Sequence, residues 1–115
     1  MSPKLTIIDL EAGFPDRIQA LRKLESALAE ARKKQVSVMK IVHGYGSSGV
    51  GGILRPVVRN FLRQAKERGD IRLFVTGESL SSFDQRSKDL IHEAPQLLLD
   101  SDLGGGNKGI TLVLL

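Results

Sequence analysis

The chain has no cysteine and no tryptophan, and only four Phe and one Tyr supply its aromatics. Without cysteine there is no disulfide framework and no thiolate-based zinc site, and the composition suits a reducing compartment. Apolar runs such as Leu97–Leu99 and Ile110–Leu115 are far too short to span a bilayer. The stretch from Met1 to Asp9 offers no apolar segment long enough for a signal peptide. Scarce aromatics also argue against a sheet that stacks single-stranded bases, because Tyr45 is the one tyrosine placed for it. What remains is a soluble, cytoplasmic, single domain over residues 1–115, long enough to bury its own core and giving no sign of membrane association.

Glycine, by contrast, is concentrated. Five of the 12 glycines lie between residues 44 and 52, and four more between 104 and 109. A residue that costs backbone entropy gathers in this way for a conformational reason, so both loops are candidates for function. Charge is uneven as well. Residues 1–72 carry 14 Lys+Arg against 7 Asp+Glu, a net of +7, while residues 73–115 carry 3 against 6, a net of −3. A basic front suits a polyanion partner, although two well-solvated helices would give the same imbalance.

Periodicity predicts a strand at Leu5–Leu10 and a helix that opens at Pro15–Asp16 and runs to about Lys34. A second strand follows at Val36–Val42, and a second helix covers about Ile53 to Arg68. Pro56 is tolerated only in the first turn of that helix, which places the start near Gly51 or Gly52. A third strand is expected at Ile71–Val75. A short helix should follow, capped by Ser82-Phe83-Asp84-Gln85 and ending near Glu93, with a last strand at Ile110–Leu114. This order describes an α/β domain whose early strands run parallel. Ligands of such sheets bind beyond the carboxyl ends of the strands. If the first two strands are neighbours, Asp9, Glu11, His43 and the first glycine loop converge on one rim.

Gly44-Tyr45-Gly46-Ser47-Ser48-Gly49 spells G-x-G-x-x-G between a strand and a helix. Glycines there let backbone amides approach a phosphate. The loop follows the second strand and too little chain remains for two mononucleotide halves, so a backbone phosphate fits better than a dinucleotide. A tight turn alone is the plain alternative. His43 is a candidate acid, base or metal ligand, or else a packed, hydrogen-bonded residue at a strand end. Asp9 and Glu11 offer hard oxygen ligands for a divalent cation such as Mg²⁺ or Mn²⁺, though carboxylates two apart are common near strand ends. Arg55, Arg59, Arg63 and Lys66 share one arc of the second helix. With Arg22, Lys23, Lys33 and Lys34 they are placed to track a phosphate backbone.

Ile8-Asp9-Leu10-Glu11, Ile41-Val42-His43-Gly44-Tyr45-Gly46, Leu54-Arg55 and the closing Gly105-Gly106-Asn107-Lys108-Gly109-Ile110-Thr111-Leu112-Val113-Leu114 together resemble the Smr (small MutS-related) domain family. The resemblance leaves out about residues 76–103, an insertion with its own helix. It implies a two-layer α/β sandwich: a mixed four-stranded sheet, two main helices and a short inserted helix, in the order βαβαβ(α)β. It also implies DNA or RNA binding, often with endonuclease activity of low sequence preference. Residue by residue, it assigns catalysis to Asp9, Glu11 and His43, with Asp9 and Glu11 as metal ligands. Glu11 stands where the family usually has His, and a carboxylate cannot serve as a cationic acid near neutral pH. Phosphate binding falls to Gly44, Tyr45, Gly46, Gly49, Arg55, Arg59 and Arg63. Two other readings stay open: a non-catalytic module that recognises DNA or RNA shape, and a small nucleotide or phosphate binder using the Gly44–Gly49 loop.

Overall fold

In a computed structural model, which describes residues 4–13, 15–45 and 51–115, the elements follow the expected order. They are β1 (Leu5–Asp9), α1 (Arg17–Lys33), β2 (Val38–Val42), α2 (Gly51–Arg68), β3 (Leu73–Thr76), α3 (Gln85–Glu93) and β4 (Ile110–Leu114). Single 3₁₀ turns at Gly77–Ser79 and Pro95–Leu99 flank α3.

The helix starts show local chemistry at work. Asp16 is the N-cap of α1: its carboxylate accepts from the Gln19 amide, and the Gln19 side chain accepts from the Asp16 amide. This capping box leaves two of the helix's orphan donors satisfied. The cap of α3 is Asp84 and not the expected Ser82, because the Asp84 carboxylate accepts the Ser87 amide at 2.9 Å. The resulting bond, aided by Arg86, holds the Asp84 pKa below its ordinary value. α2 starts at Gly51, as expected, which makes Pro56 its sixth residue, just past the first turn. A proline there leaves the Gly52 carbonyl, near the start of the helix, without its usual amide donor.

The sheet order is β1-β2-β4-β3. β1 pairs parallel with β2, while β4 runs antiparallel to both β2 and β3. The first three strands therefore point the same way, as expected for the early strands. The β1–β2 register sets Asp9 opposite Val42, so the adjacency on which the rim depends is present.

Alternation along the strands divides the apolar residues between two faces. One face carries Met39, Ile41 and Val113 against Leu24, Leu28, Leu54, Val58 and Leu62 of α1 and α2. The other carries Val38, Val75, Ile110, Leu112 and Leu114 against Leu80, Leu90, Ala94 and Leu97. The segment that carries α3 thus covers the face opposite the two main helices.

One charged residue lies within that second face. Lys40, only 9% exposed, donates to Asp100 at 3.0 Å and pairs with Asp102. Burial works against its charge, but the hydrogen bonds and charges of Asp102 and Asp100 outweigh burial and raise its pKa above 10.5. Asp102 Oδ1 accepts from the Asn107 side-chain amide, and Asn107 Oδ1 accepts from the Gly109 amide. The central strand is thereby tied to the second glycine loop.

Candidate functional site

The carboxyl ends of β1, β2 and β3, the amino end of β4 and the start of α2 meet at one edge of the sheet. At its centre is His43, which has no exposed surface. Its Nδ1 lies 2.7 Å from the Gly44 carbonyl and its Nε2 lies 2.9 Å from Thr111 Oγ1. A carbonyl only accepts, so Nδ1 carries the proton. The neutral ring then accepts at Nε2 from the Thr111 hydroxyl. Burial lowers the His43 pKa below 6.5, and the charges of Arg59 and Arg55 lower it further. Both ring nitrogens are therefore engaged inside the protein, and neither faces an incoming ligand.

The Thr111 hydroxyl accepts in turn from Arg59 Nε at 3.1 Å. Arg59 also donates to the Ile110 carbonyl and grips Glu78 with both terminal nitrogens, at 3.0 and 2.6 Å. Its side chain is only 12% exposed. Arg55 Nη2 reaches the same carboxylate at 2.8 Å and is three times as open. The bond from Arg59 is the main reason that Glu78 titrates at about 2; burial opposes it, and Arg55 adds to it. His43, Thr111, Arg59, Glu78 and Arg55 thus form one continuous chain of polar contacts, with every link within hydrogen-bond distance.

Sequence reasoning missed two members of that chain. Glu78, two residues past β3, lies in no motif that singles it out. Thr111 lay within the closing Gly-x-Thr-x-Val-x-Leu pattern without a role. Its alternation with Val113 toward the helix-covered face was the available signal.

The glycines are arranged for close approach. Gly44 has φ +75, and a side chain there would meet the Glu11 carboxylate. Its amide donates to the Gly109 carbonyl at 3.0 Å, which also accepts from the His43 amide. The Gly44 amide, expected to hold a phosphate, is therefore committed within the protein. Gly109 lies against Gly44 and Tyr45, so the two glycine clusters meet back to back. Gly46 and Gly49 lie outside the described residues.

Asp9 and Glu11 do reach the rim, but by a turn and not by strand alternation. β1 stops at Asp9, and Asp9 Oδ1 accepts the Glu11 amide at 2.9 Å. Among the described residues no group of three or more His, Asp or Glu is arranged to hold a metal ion. Asp9 and Glu11 thus offer two carboxylates at the rim, one of them already accepting within its own turn.

Beside the polar chain runs an open groove of about 560 Å³, lined by Tyr45, Arg55, Pro56, Arg59, Asn60 and Arg63. Tyr45 is 57% exposed. Arg63 is exposed and, among the described residues, donates only to Asn60 on its own helix, at 3.2 Å. Three expected phosphate ligands are thus brought together, but in different states: Arg59 enclosed, Arg55 shared and Arg63 open. No helix among the described residues is long and apolar enough to cross a membrane.

Comparison with known proteins places this architecture. The chain resembles the crystal structure of the Smr domain of Thermus thermophilus MutS2, with a TM-score of 0.58 and 24% identity over 96% of each chain. At that identity the likeness speaks for the fold. No curated protein sequence matches. The family model of the Smr domain matches residues 12–79, which is more than half of the chain and includes His43 to Gly46 and Leu54-Arg55. The matched span stops short of Asp9, Glu11 and the last strand, the segments that complete the rim. The chain belongs to the Smr domain family.

Proposed function

We propose that this chain binds DNA or RNA through the sugar–phosphate backbone, using the arginine groove at the rim. The supporting observation is the groove itself: Arg55, Arg59 and Arg63 converge there beside the exposed Tyr45. Guanidinium groups suit phosphate oxygens because their fork donates two parallel bonds. Such contacts position a backbone without reading its sequence. Tyr45 supplies one stacking surface, enough for a single splayed base and not for a platform. Asn60 adds a polar donor in the same groove. His43 and Thr111 serve as positioning residues: they hold the Gly44 turn and the Arg59 side chain in place.

The direct test is fluorescence anisotropy with single-stranded, duplex and branched DNA and RNA over a salt series. Binding is expected to weaken steeply between about 50 and 200 mM salt, as counterion release requires. Binding to no nucleic acid, or binding indifferent to salt, would overturn the reading. A thermal-shift screen separates the nucleotide alternative, which requires a free nucleotide to raise the melting temperature where nucleic acid does not.

Hydrolysis is a second reading, and one observation favours it: the Glu11 carboxylate lies against Gly44 at the same rim. In that reading Glu11 draws the proton from an attacking water, Asp9 orients the Glu11 turn, and His43 positions and does not transfer a proton. Supercoiled plasmid and structured RNA, each with and without Mg²⁺ or Mn²⁺, test it. Cutting by wild type that is lost in Glu11→Gln supports hydrolysis; intact substrates in every arm leave a non-catalytic binding module.

A further inference from the structure

Glu78 is an acid in the middle of a site that has been read as anion-binding. Its carboxylate accepts three guanidinium bonds, two from Arg59 and one from Arg55, in the geometry with which arginines hold a phosphate. The two arginines are not equivalent. Arg59 is nearly enclosed and has two further partners, Thr111 Oγ1 and the Ile110 carbonyl. Among the described residues Arg55 has Glu78 as its one side-chain partner, shares Oε2 with Arg59, and lines the groove. An ion pair this open contributes little on its own, so exchanging its anion costs little.

We propose that in the free protein Glu78 occupies the place a phosphate takes on binding, so that Arg55 exchanges Glu78 for a backbone phosphate while Arg59 stays with Glu78. This exchange presupposes the nucleic-acid reading above and adds to it an internal competitor. Arg55 then reads the phosphate nearest the rim, Arg63 the next along α2, and Arg59 none. Glu78 repels a phosphate that comes too deep and so fixes how far the backbone enters. No covalent step is involved; one anion replaces another on Arg55.

Removing the competitor is the test. Glu78→Gln is expected to bind duplex about ten-fold tighter at low salt, with the salt slope unchanged, because Arg55 meets one phosphate in both proteins. The gain should vanish when Arg55→Ala is added, because Arg59 is enclosed and the freed donors open to the groove are those of Arg55. Unchanged or weaker binding by a folded Glu78→Gln protein would overturn the exchange. Should that variant fail to fold, wild-type protein still answers by side-chain NMR. On saturation with duplex the Arg55 Nε–H resonance should move while that of Arg59 stays. Movement of Arg59, or of neither, would contradict the proposal. Arg63→Ala separates the two levels: weaker binding with a neutral Glu78→Gln overturns the exchange and spares the nucleic-acid reading. Absence of binding by wild type removes both.

Discussion

Two charged networks stand on opposite faces of the same sheet, and they use their charges differently. On the α3 side, Lys40 spends its donors on Asp100 and Asp102, and all three side chains are less than a fifth exposed. On the α2 side, Arg59 is equally enclosed but its partner Glu78 also holds Arg55, which opens onto a groove. The first network is closed and can only hold the fold together. The second is closed at one end and open at the other, so the same chemistry that anchors Arg59 also leaves Arg55 available. Spare donors and access to solvent, and not the number of ion pairs, separate a staple from a binding device.

Breaking the closed network should have the largest effect. Lys40→Ala leaves two enclosed aspartates without their cation and is expected to cost about 3 kcal/mol or more in stability. Chemical denaturation measures that loss, and nucleic-acid binding by the folded fraction should persist. A loss below about 1 kcal/mol would place Lys40 among ordinary surface pairs.

Thr111→Val cuts the second network in its middle. His43 Nε2 then has no donor and Arg59 Nε no acceptor, at a cost of about 2 kcal/mol in a buried setting. Unlike Lys40→Ala, this change should also weaken binding, because the Gly44 turn and the arginines lose their shared support.

Acidity should distinguish the two networks next. The folded-state pKa of His43 lies below 6.5, so the unfolded chain takes up the proton first. Its contribution is therefore present above pH 6.5 and is lost as pH falls from there toward the folded-state value. The melting temperature should drop modestly over that range, and His43→Asn should flatten the drop. Lys40 has a raised pKa and Asp102 a lowered one, so their network stays charged throughout. Glu78, at about 2, adds a second loss only below pH 4.5, where the unfolded chain's carboxylate takes up a proton before the folded one does.

Much of this molecule was legible in its sequence. The order of elements, the start of α2 at Gly51 and the meeting of strands one and two followed from periodicity, proline and glycine. Local signals erred by a few residues where two caps competed: Asp84 displaced Ser82 because its carboxylate reaches the Ser87 amide. The candidate site was legible in outline and not in mechanism. His43, Glu11, Arg55, Arg59 and Arg63 do gather at one rim. Which of them is free was hidden, since that depends on partners far away in the chain. Arg59 meets Thr111 and Glu78 only through tertiary packing, and Lys40 meets Asp100 in the same way. Nothing in the spacing of arginines along a helix tells an enclosed one from an open one.

The smallest expected change in stability belongs to Arg63→Ala, within about 0.5 kcal/mol, because Arg63 is exposed and, among the described residues, bonded only within its helix. Its effect should appear in binding alone. Arg55 and Arg63 together therefore give the most direct test of the account. Anisotropy titrations of wild type and the Arg55→Ala/Arg63→Ala protein against one duplex, over a salt series, measure how many phosphates each neutralises. The double variant should bind more weakly, with a log–log salt slope shallower by about two, and melt like wild type. Equal slopes for the two proteins would show that the groove is not where the backbone binds.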